Sequence, residues 1–228
     1  MRRSALVTGA GRGIGRAVAI RLAERGLDVG LVARSTKELE ETRASIDALG
    51  QRGVVLGCDV SKADEVDRAF AASLPLLGSP DVVVSCAGVV RRALIHEMSE
   101  SDWDHVVDVN LKGMFLVTRA WLPSMLNRKR GRFVAIASVS STVGTAQQSA
   151  YAAAKWGVVG FTKSLAEELR GTGLQTVAIL PGSVSTAMLE GSGFSPQMTP
   201  EEVANLVVYA ALDAPDAMNG SAVEMFGP

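Results

Sequence analysis

The residues with the clearest chemical potential are Tyr151 and Lys155, in the segment SAYAAAKWG. Their four-residue spacing places both side chains on one face of a helix. A free tyrosine titrates near pH ~10, and a neighbouring ammonium favours the phenolate and lowers the pKa. Such a pair can exchange a proton with a substrate oxygen near neutral pH. The same spacing is also common in simple surface contacts, so other residues must decide between these interpretations.

Two more polar residues are candidates for the same site. Ser138 ends the apolar run RFVAIAS, thirteen residues before Tyr151. We expect this run to be a strand, and ligand crevices open at the carboxyl ends of parallel strands. Asn110, in DVNLKG, is polar within an otherwise apolar helical segment. It either joins the site or fixes a bend in that helix. Ser140 and Ser141 are alternatives to Ser138.

Apolar runs of strand length alternate with longer helical segments, and together they must position these residues. Strands this rich in Val, Leu and Ile on both faces are typical of a parallel sheet covered on both sides. The alternation predicts an α/β, doubly wound Rossmann fold with a seven-stranded parallel sheet, as a single domain over residues 1–228. The predicted strands are 5–9, 28–34, 53–60, 81–88, 131–138, 174–182 and 221–226. The predicted helices are 13–25, 37–49, a segment around 65–73, 101 to about 127, 151–170 and 200–212.

Residues 8–15, TGAGRGIG, lie between the first predicted strand and the first helix. Here backbone N–H groups and the positive end of the helix dipole can hold the pyrophosphate of a dinucleotide. Gly9 permits the tight turn, while Gly13 and Gly15 allow the phosphates and the neighbouring strand to come close. Ile14 is expected to contribute to the same contact.

The sequence resembles the short-chain dehydrogenase/reductase family over essentially its whole length. The resemblance rests on the T-G-x-x-x-G-x-G spacing, on PGSVST at 181–186, and on a set of four residues. This set is Asn110, Ser138, Tyr151 and Lys155. The resemblance implies an oxidoreductase that interconverts a carbonyl and a secondary alcohol with a nicotinamide cofactor. Tyr151 is then the proton donor, Ser138 aligns the substrate oxygen, Lys155 also binds the nicotinamide ribose, and Asn110 holds a water linked to Lys155.

The end of the second strand bears on the choice of cofactor. NAD binders carry an acidic residue there that accepts hydrogen bonds from the adenosine ribose, whereas this chain has Arg34 and Ser35. Arg12, in the glycine turn, can reach the same place. Two guanidinium groups suit the 2′-phosphate of NADP, since planar forks bind phosphate bidentately. Two ordinary surface arginines are the alternative, but the sequence favours NADP(H).

The family resemblance also implies the remaining cofactor contacts. Asp59 resembles an adenine contact and Thr186 a contact on the nicotinamide side, although each could instead be a helix N-cap. SCAG, at 85–88, stands where the family usually has N-N-A-G, so that Ser85 and Cys86 replace both asparagines. The other predicted cofactor contacts are Val60, Ala87, Gly88, Asn110, Tyr151, Lys155, Pro181, Gly182 and Val184.

Within the family, these motifs are most similar to 3-oxoacyl-(acyl-carrier-protein) reductases. Gln148 stands where such reductases line the substrate mouth, so Ser138, Gln148 and Tyr151 are the predicted substrate contacts. A reductase of another ketone, sugar or steroid-like alcohol is the first alternative, and a non-catalytic NADP-binding regulator is a second. A nucleotide-sugar epimerase or dehydratase would normally be longer.

Residues 187–199, AMLEGSGFSPQMT, are predicted to form a lid over the ligand, because this loop carries exposed apolar side chains after a strand. Its apolar residues are Met188, Leu189, Phe194 and Met198. A connector without function is the alternative.

The sequence also suggests macromolecular partners. The basic run 128–130 with Arg170 could dock an acidic carrier protein or could be a solvated surface. By resemblance, the long helices are expected to pair into a homodimer or homotetramer, a buried central helix being the alternative. The apolar residues at issue are Leu111, Met114, Phe115 and Val117.

The overall composition of the 228 residues argues against several classes of protein. A formal net charge of −1 disfavours a general nucleic-acid binder. No apolar run reaches the roughly 18 residues of a membrane span. The two cysteines, each in an apolar stretch, favour a reducing, cytoplasmic location, and the two histidines offer no metal site.

Overall fold

The computed structural model of the protein describes residues 3–227, in which strands and helices alternate along the chain. The strands are β1 (Ser4–Thr8), β2 (Asp28–Ala33), β3 (Gly53–Gly57), β4 (Val82–Ser85), β5 (Gly131–Ile136), β6 (Leu174–Pro181) and β7 (Ala222–Met225). The α-helices are α1 (Gly13–Glu24), α2 (Thr36–Asp47), α3 (Ala63–Leu77), α4 (Glu100–Val107), α5 (Gly113–Arg128), α6 (Ser149–Glu168) and α7 (Pro200–Leu212). The predicted alternation is confirmed, with ends that differ by a few residues. Residues 1, 2 and 228 of the predicted domain lie outside the described part.

The seven strands form one parallel sheet in the order β3-β2-β1-β4-β5-β6-β7. The chain moves outward from β1 to β3, then returns to the centre and moves the other way from β4 to β7. This order is the predicted doubly wound topology. A crevice opens where the direction reverses, outside the carboxyl ends of β1 and β4.

Apolar side chains fill the space on both faces of the sheet, because successive residues of a strand point to opposite sides. On β1, Val7 belongs to the apolar layer that also contains residues of α1 and α7. Its neighbour Leu6 belongs to the opposite layer, which contains Trp121 of α5. Trp121 is 1% exposed and meets the ring of Phe70 edge-on, with centroids 5.4 Å apart. Packing on both faces makes the sheet a rigid support for the loops at its carboxyl edge.

Two parts of the chain differ from the sequence-based expectations. The long helix predicted from Ser101 to about 127 is interrupted by a π-helical turn, Asp108–Lys112, between α4 and α5. Met198, expected to be exposed on the lid, is 5% exposed. It pairs with Val184 in an isolated parallel bridge and packs into the core, so it anchors the base of the loop.

Within residues 3–227, none of the helices combines the length and apolarity needed to cross a membrane.

Candidate active site

A cleft of about 1310 Å³ lies along the carboxyl ends of the strands. All the predicted site residues except Asn110 line this cleft, although they come from positions spread over most of the chain. They are Gly9, Arg12, Gly13, Ile14, Gly15, Arg34, Ser35, Asp59, Val60, Ala87, Gly88, Ser138, Gln148, Tyr151, Lys155, Pro181, Gly182, Val184 and Thr186. The cleft exceeds the roughly 300–1,000 Å³ of an ordinary small-molecule pocket, so it has room for a dinucleotide beside a second molecule.

The glycine turn between β1 and α1 has a backbone that other residues could not adopt. Gly9 and Gly13 have φ values of +68° and +54°, which are strained for a residue with a Cβ. A Cβ on Gly15 would lie 2.2 Å from the Gly9 carbonyl oxygen. Arg12 forms the N-cap of α1 without a side-chain hydrogen bond to the helix. The first N–H groups of α1 therefore face the cleft without a side-chain cap and can hold an anion.

Two arginines and a serine lie at the end of the cleft next to α2. Arg34 is exposed, and Arg12 has 73% of its side chain exposed. The Ser35 hydroxyl accepts a hydrogen bond from the backbone N–H of Glu38 at 3.3 Å, so it serves as the N-cap of α2. Glu38, which sequence reasoning missed, has a carboxylate oxygen 3.8 Å from the Arg12 guanidinium.

The structure excludes the helix N-cap interpretation for both Asp59 and Thr186. The N-cap of α3 is Lys62, whereas the Asp59 carboxylate accepts hydrogen bonds from the Ser61 amide and hydroxyl at 3.0 and 2.7 Å. Burial by itself would raise the pKa of Asp59, but these bonds and the charge of Arg34 lower it. Thr186 precedes a turn, and its methyl group lies 3.2 Å from where a Cβ on Gly13 would be. Neither side chain caps a helix, and both residues line the cleft.

Tyr151, Lys155 and Ser138 meet at the other end of the cleft. Tyr151 and Lys155 are one turn apart on α6, with the Lys155 Nζ 5.6 Å from the centre of the phenol ring. The Nζ also donates a hydrogen bond to the Ile136 carbonyl at 2.8 Å, which fixes it beside the end of β5. Ser138 follows β5 by two residues, and its hydroxyl accepts a hydrogen bond from the Ser140 amide at 3.1 Å.

Burial controls the protonation of this pair. It raises the pKa of Tyr151, and the Ser138 hydroxyl and the charge of Arg92 offset only part of the effect. It lowers the pKa of Lys155 to about 8. In the chain as described, desolvation outweighs the groups that lower the pKa of Tyr151, and a lowering by Lys155 stays a prediction for the complex with an oxidised nicotinamide. Tyr151 is a neutral phenol at neutral pH.

Asn110 lies behind the cleft, in the π-helical turn. Its Nδ2 donates hydrogen bonds to the carbonyls of Val89 and Val106, both at 2.8 Å, so the side chain does hold this bend together. Its Oδ1 is buried and has no partner among the described residues. A Cβ on Gly88 would lie 2.8 Å from this oxygen and 3.6 Å from the Lys155 Nζ. Only a glycine leaves the space between them open.

Ser85 and Cys86, which stand in place of both family asparagines, lie at the carboxyl end of β4, beside Thr8 of β1. The Thr8 hydroxyl accepts hydrogen bonds from the backbone N–H groups of Cys86 and Ala87, both at 3.0 Å. These bonds tie the end of β1 to the end of β4 at the bottom of the cleft. The Cys86 thiol lines the cleft, and burial raises its pKa to about 12. It remains an uncharged thiol at neutral pH.

Sequence reasoning missed Arg92, which connects two parts of the cleft. Its guanidinium donates hydrogen bonds to the carbonyls of Met188 and Glu190 at 3.0 and 3.5 Å. These carbonyls belong to the predicted lid, where Met188 and Phe194 line the cleft. Arg92 lies seven residues after Ser85, the last residue of β4, so the strand-end rule that selected Ser138 does not find it.

The predicted docking patch lies at the opposite edge of the sheet. Arg128 and Arg130 precede β5 and approach the buried Asp81 carboxylate at 3.0 and 3.9 Å. Ser138 lies beyond the other end of β5, about 20 Å away at roughly 3.3 Å per residue. Docking of a carrier protein on this patch stays a prediction, and such a partner would not lie over the cleft of the same chain.

The apolar residues singled out on the long helices divide between core and surface. Met114 and Val117 are buried, whereas Phe115 is 42% exposed. Trp156, on the neighbouring α6, is 54% exposed. Leu111 is half-buried and packs against Gly157 of α6. The buried-helix alternative accounts for Met114 and Val117 but not for the exposed rings of Phe115 and Trp156.

Comparison with known proteins agrees with this geometry. A family model described as short chain dehydrogenase matches residues 3–194. The chain is 39% identical over 219 residues to a 3-oxoacyl-(acyl-carrier-protein) reductase of Synechocystis sp., covering 92% of this chain and 89% of that protein. It is 37% identical over 242 residues to the short-chain reductase protein NovJ of Streptomyces niveus, covering 98% and 92%.

Among solved structures, a 3-oxoacyl-(acyl-carrier-protein) reductase from Brucella melitensis superposes with a TM-score of 0.91. Its sequence is 32% identical, and the match covers 99% of this chain and 90% of that one. The family match spans most of the sequence and the structural match includes the sheet, the glycine turn and α6. The chain belongs to the short-chain dehydrogenase/reductase family of oxidoreductases.

Proposed function

We propose that the protein interconverts a carbonyl and a secondary alcohol with NADP(H), and that its substrate is a 3-oxoacyl thioester. The observation that carries the proposal is the shape of the cleft. A neutral phenol, an ammonium and a serine hydroxyl meet at one end, and a glycine turn with two arginines lies at the other. An extended dinucleotide can span these two groups of residues, which places its reactive ring beside the phenol.

The cofactor end of the cleft fits a dinucleotide with an additional phosphate. The N–H groups at the start of α1 would hold the pyrophosphate, because Gly13 and Gly15 leave no side chain in the way. Arg12 and Arg34 would pair with the 2′-phosphate. Thr186 and the backbone of Val184 would contact the nicotinamide side. When bound, the nicotinamide supplies the hydride in reduction and accepts it in oxidation.

The phenol of Tyr151 donates its proton to the carbonyl oxygen during reduction. A pKa raised by burial keeps this proton in place at neutral pH, which an acid requires. The Ser138 hydroxyl donates a hydrogen bond to the same oxygen and aligns it. The Lys155 ammonium would hold the nicotinamide ribose, and its charge would stabilise the phenolate left behind. Asn110, through its free Oδ1, holds a water that returns a proton toward Lys155.

The substrate class is supported by two observations. Relatives similar to this chain over most of its length carry the name 3-oxoacyl-(acyl-carrier-protein) reductase. The lid places Met188 and Phe194 along the cleft, where they can cover an acyl chain. Gln148, which is 8% exposed, lines the cleft at the start of α6 and can donate a hydrogen bond to the thioester. Residues 187–199 thus form the proposed substrate lid.

The experiment is a turnover assay on the substrate classes that compete. Consumption of NADPH is followed with acetoacetyl thioesters, free and carrier-protein-bound, and with a panel of ketones, quinones and sugars. Fastest turnover of the thioesters supports the proposal. Faster turnover of another carbonyl identifies a different reductase, and NADPH binding without turnover of any compound identifies a regulator.

Replacement of Tyr151 by Phe tests the proton donor directly. Removing only the hydroxyl should lower kcat about 10²–10⁴-fold, the range for general acid–base catalysis, with NADPH affinity unchanged. Binding is measured by the fluorescence of NADPH and turnover by the loss of its absorbance. The matched control is Tyr209→Phe, on the exposed face of α7, which should leave both unchanged. Residual turnover within tenfold of the unaltered protein would refute the role of Tyr151.

We also propose a homodimer or homotetramer in the cytoplasm. The exposed rings of Phe115 and Trp156 support pairing through α5 and α6, since buried apolar area drives association. Cys58 and Cys86 are free thiols, in keeping with a reducing compartment.

A further inference from the structure

The carboxylate of Glu38 lies directly over the glycine turn. One of its oxygens is 3.8 Å from the Arg12 guanidinium, and the other is 3.0 Å from where a Cβ on Gly11 would be. The Cβ of Glu38 is 2.8 Å from the same point. Gly11 therefore has to be a glycine for α2 to approach the turn this closely. A negative charge is thus built into the end of the cleft where the two arginines lie.

Helix capping does not account for the position of this carboxylate. Glu38 is the third residue of α2, where an acidic side chain commonly closes a capping box. In α7 the corresponding Glu202 does so, accepting a hydrogen bond from the Thr199 amide at 2.7 Å. In α2 the carboxylate extends toward Arg12 instead. The Glu38 carboxylate therefore does not cap its own helix, and it lines the cleft where a ligand can contact it.

A carboxylate in this place acts differently on the two nicotinamide cofactors. It holds the arginine that would otherwise pair with a 2′-phosphate, and it opposes the approach of further negative charge. It can also accept a hydrogen bond from a ribose hydroxyl, as the acidic residue of NAD binders does. Both effects favour the cofactor without the extra phosphate.

We propose that Glu38 is a selectivity residue that competes with the 2′-phosphate of NADP(H) for Arg12 and so reduces the preference for NADP(H) over NAD(H). The inference rests on the proposed function in one respect, namely that the adenosine end of a dinucleotide binds beside Arg12 and Arg34. It assigns to Glu38 a role that opposes those arginines.

The test is binding of NADPH and NADH to the unaltered chain, to Glu38→Gln and to Glu41→Gln. Glu41 is the matched control, because it lies on the same helix and approaches Arg16 of α1 at 3.9 Å without lining the cleft. Glu38→Gln should tighten NADPH binding about fivefold, equivalent to about 1 kcal/mol, without tightening NADH binding. Glu41→Gln should change both affinities less than about twofold. The effect should shrink as salt is raised, because exposed charges are screened, whereas a steric effect would persist.

The outcomes separate this inference from the proposed function. NADPH binding that is no tighter in Glu38→Gln, or a gain equal to that of Glu41→Gln, overturns the selectivity role. If the unaltered chain binds only NADH, the proposed use of NADP(H) fails. The role of Glu38 then stands if Glu38→Gln acquires NADPH binding, and is overturned if it does not. Thermal unfolding of each variant identifies any loss of folded protein.

Discussion

Replacing Lys155 by Met should stabilise the protein near neutral pH while removing its catalytic function. Lys155 is 4% exposed, and burial lowers its pKa from an ordinary value of 10.5 to about 8. At 1.36 kcal/mol per pKa unit, this difference corresponds to about 3 kcal/mol of folding free energy. The folded state bears this cost below pH 8, where the amino group is charged in both states.

The sign of the pH dependence follows from proton binding. Between pH 8 and 10.5 the unfolded chain holds a proton on Lys155 that the folded chain has released. The free energy of unfolding of the unaltered protein therefore rises with pH in this window, relative to a variant without the amino group. Methionine fills similar space but leaves the Ile136 carbonyl without a donor, at a cost of about 1–3 kcal/mol. Lys155→Met should thus be up to about 2 kcal/mol more stable at pH 7.

The assay is urea unfolding of both proteins over pH 7 to about 10.5, because groups common to both cancel in the difference. The free energy of unfolding of the unaltered protein, minus that of Lys155→Met, should increase by about 3 kcal/mol as the pH rises through this range. Lys163→Met, at an exposed position of α6, is the control and should give a difference independent of pH. Parallel stability curves for Lys155→Met and the unaltered protein would refute the reasoning, because Lys155 would then bear no desolvation cost.

Two further predictions concern the glycine turn and the thiols. Gly15→Ala should destabilise the protein by about 1–3 kcal/mol and weaken NADPH binding at least about tenfold, because its Cβ would meet the Gly9 carbonyl at 2.2 Å. The control is Gly144→Ala, where a Cβ meets no atom of residues 3–227 within 4 Å; it should change neither the stability, measured by thermal unfolding, nor the affinity, measured by NADPH titration. Equal losses in the two variants would contradict the steric argument. Burial raises the pKa of Cys58 and Cys86 to about 12, so both should resist alkylation at pH 8 in the folded protein and react after unfolding. Rapid labelling of the folded chain would contradict this.

The order of the elements could be predicted because each depends on local patterns. The apolar runs, their separation by helical segments and the glycines at residues 9–15 predicted the parallel sheet and the crevice at its carboxyl edge. The spacing of Tyr151 and Lys155 predicted a shared helical face, which α6 confirms. The π-helical turn at Asp108–Lys112 was not predicted, because no local pattern distinguishes it from the helix on either side.

The protonation of the pair could not be predicted from spacing. An ammonium one turn from a phenol indicates a lowered pKa for Tyr151, but the direction depends on how far both groups are removed from water. That burial comes from the packing of α6 against the end of β5, where Lys155 bonds to the Ile136 carbonyl. In the chain as described, burial raises the pKa of Tyr151 and leaves it as an acid with its proton in place.

The sequence by itself determined the family, the layered sheet and the residue types available for redox chemistry. Those features depend on the periodicity of apolar residues, which is two residues in a strand and 3.6 in a helix, and on residues within one helical turn of each other. Only the tertiary structure decided which distant charges meet. Glu38 reaches Arg12 because α2 packs against the glycine turn over Gly11, and Arg92 reaches Met188 because the loops after β4 and β6 converge at one edge of the sheet. Contacts between elements depend on where the whole sheet places their ends, and no local spacing encodes that distance.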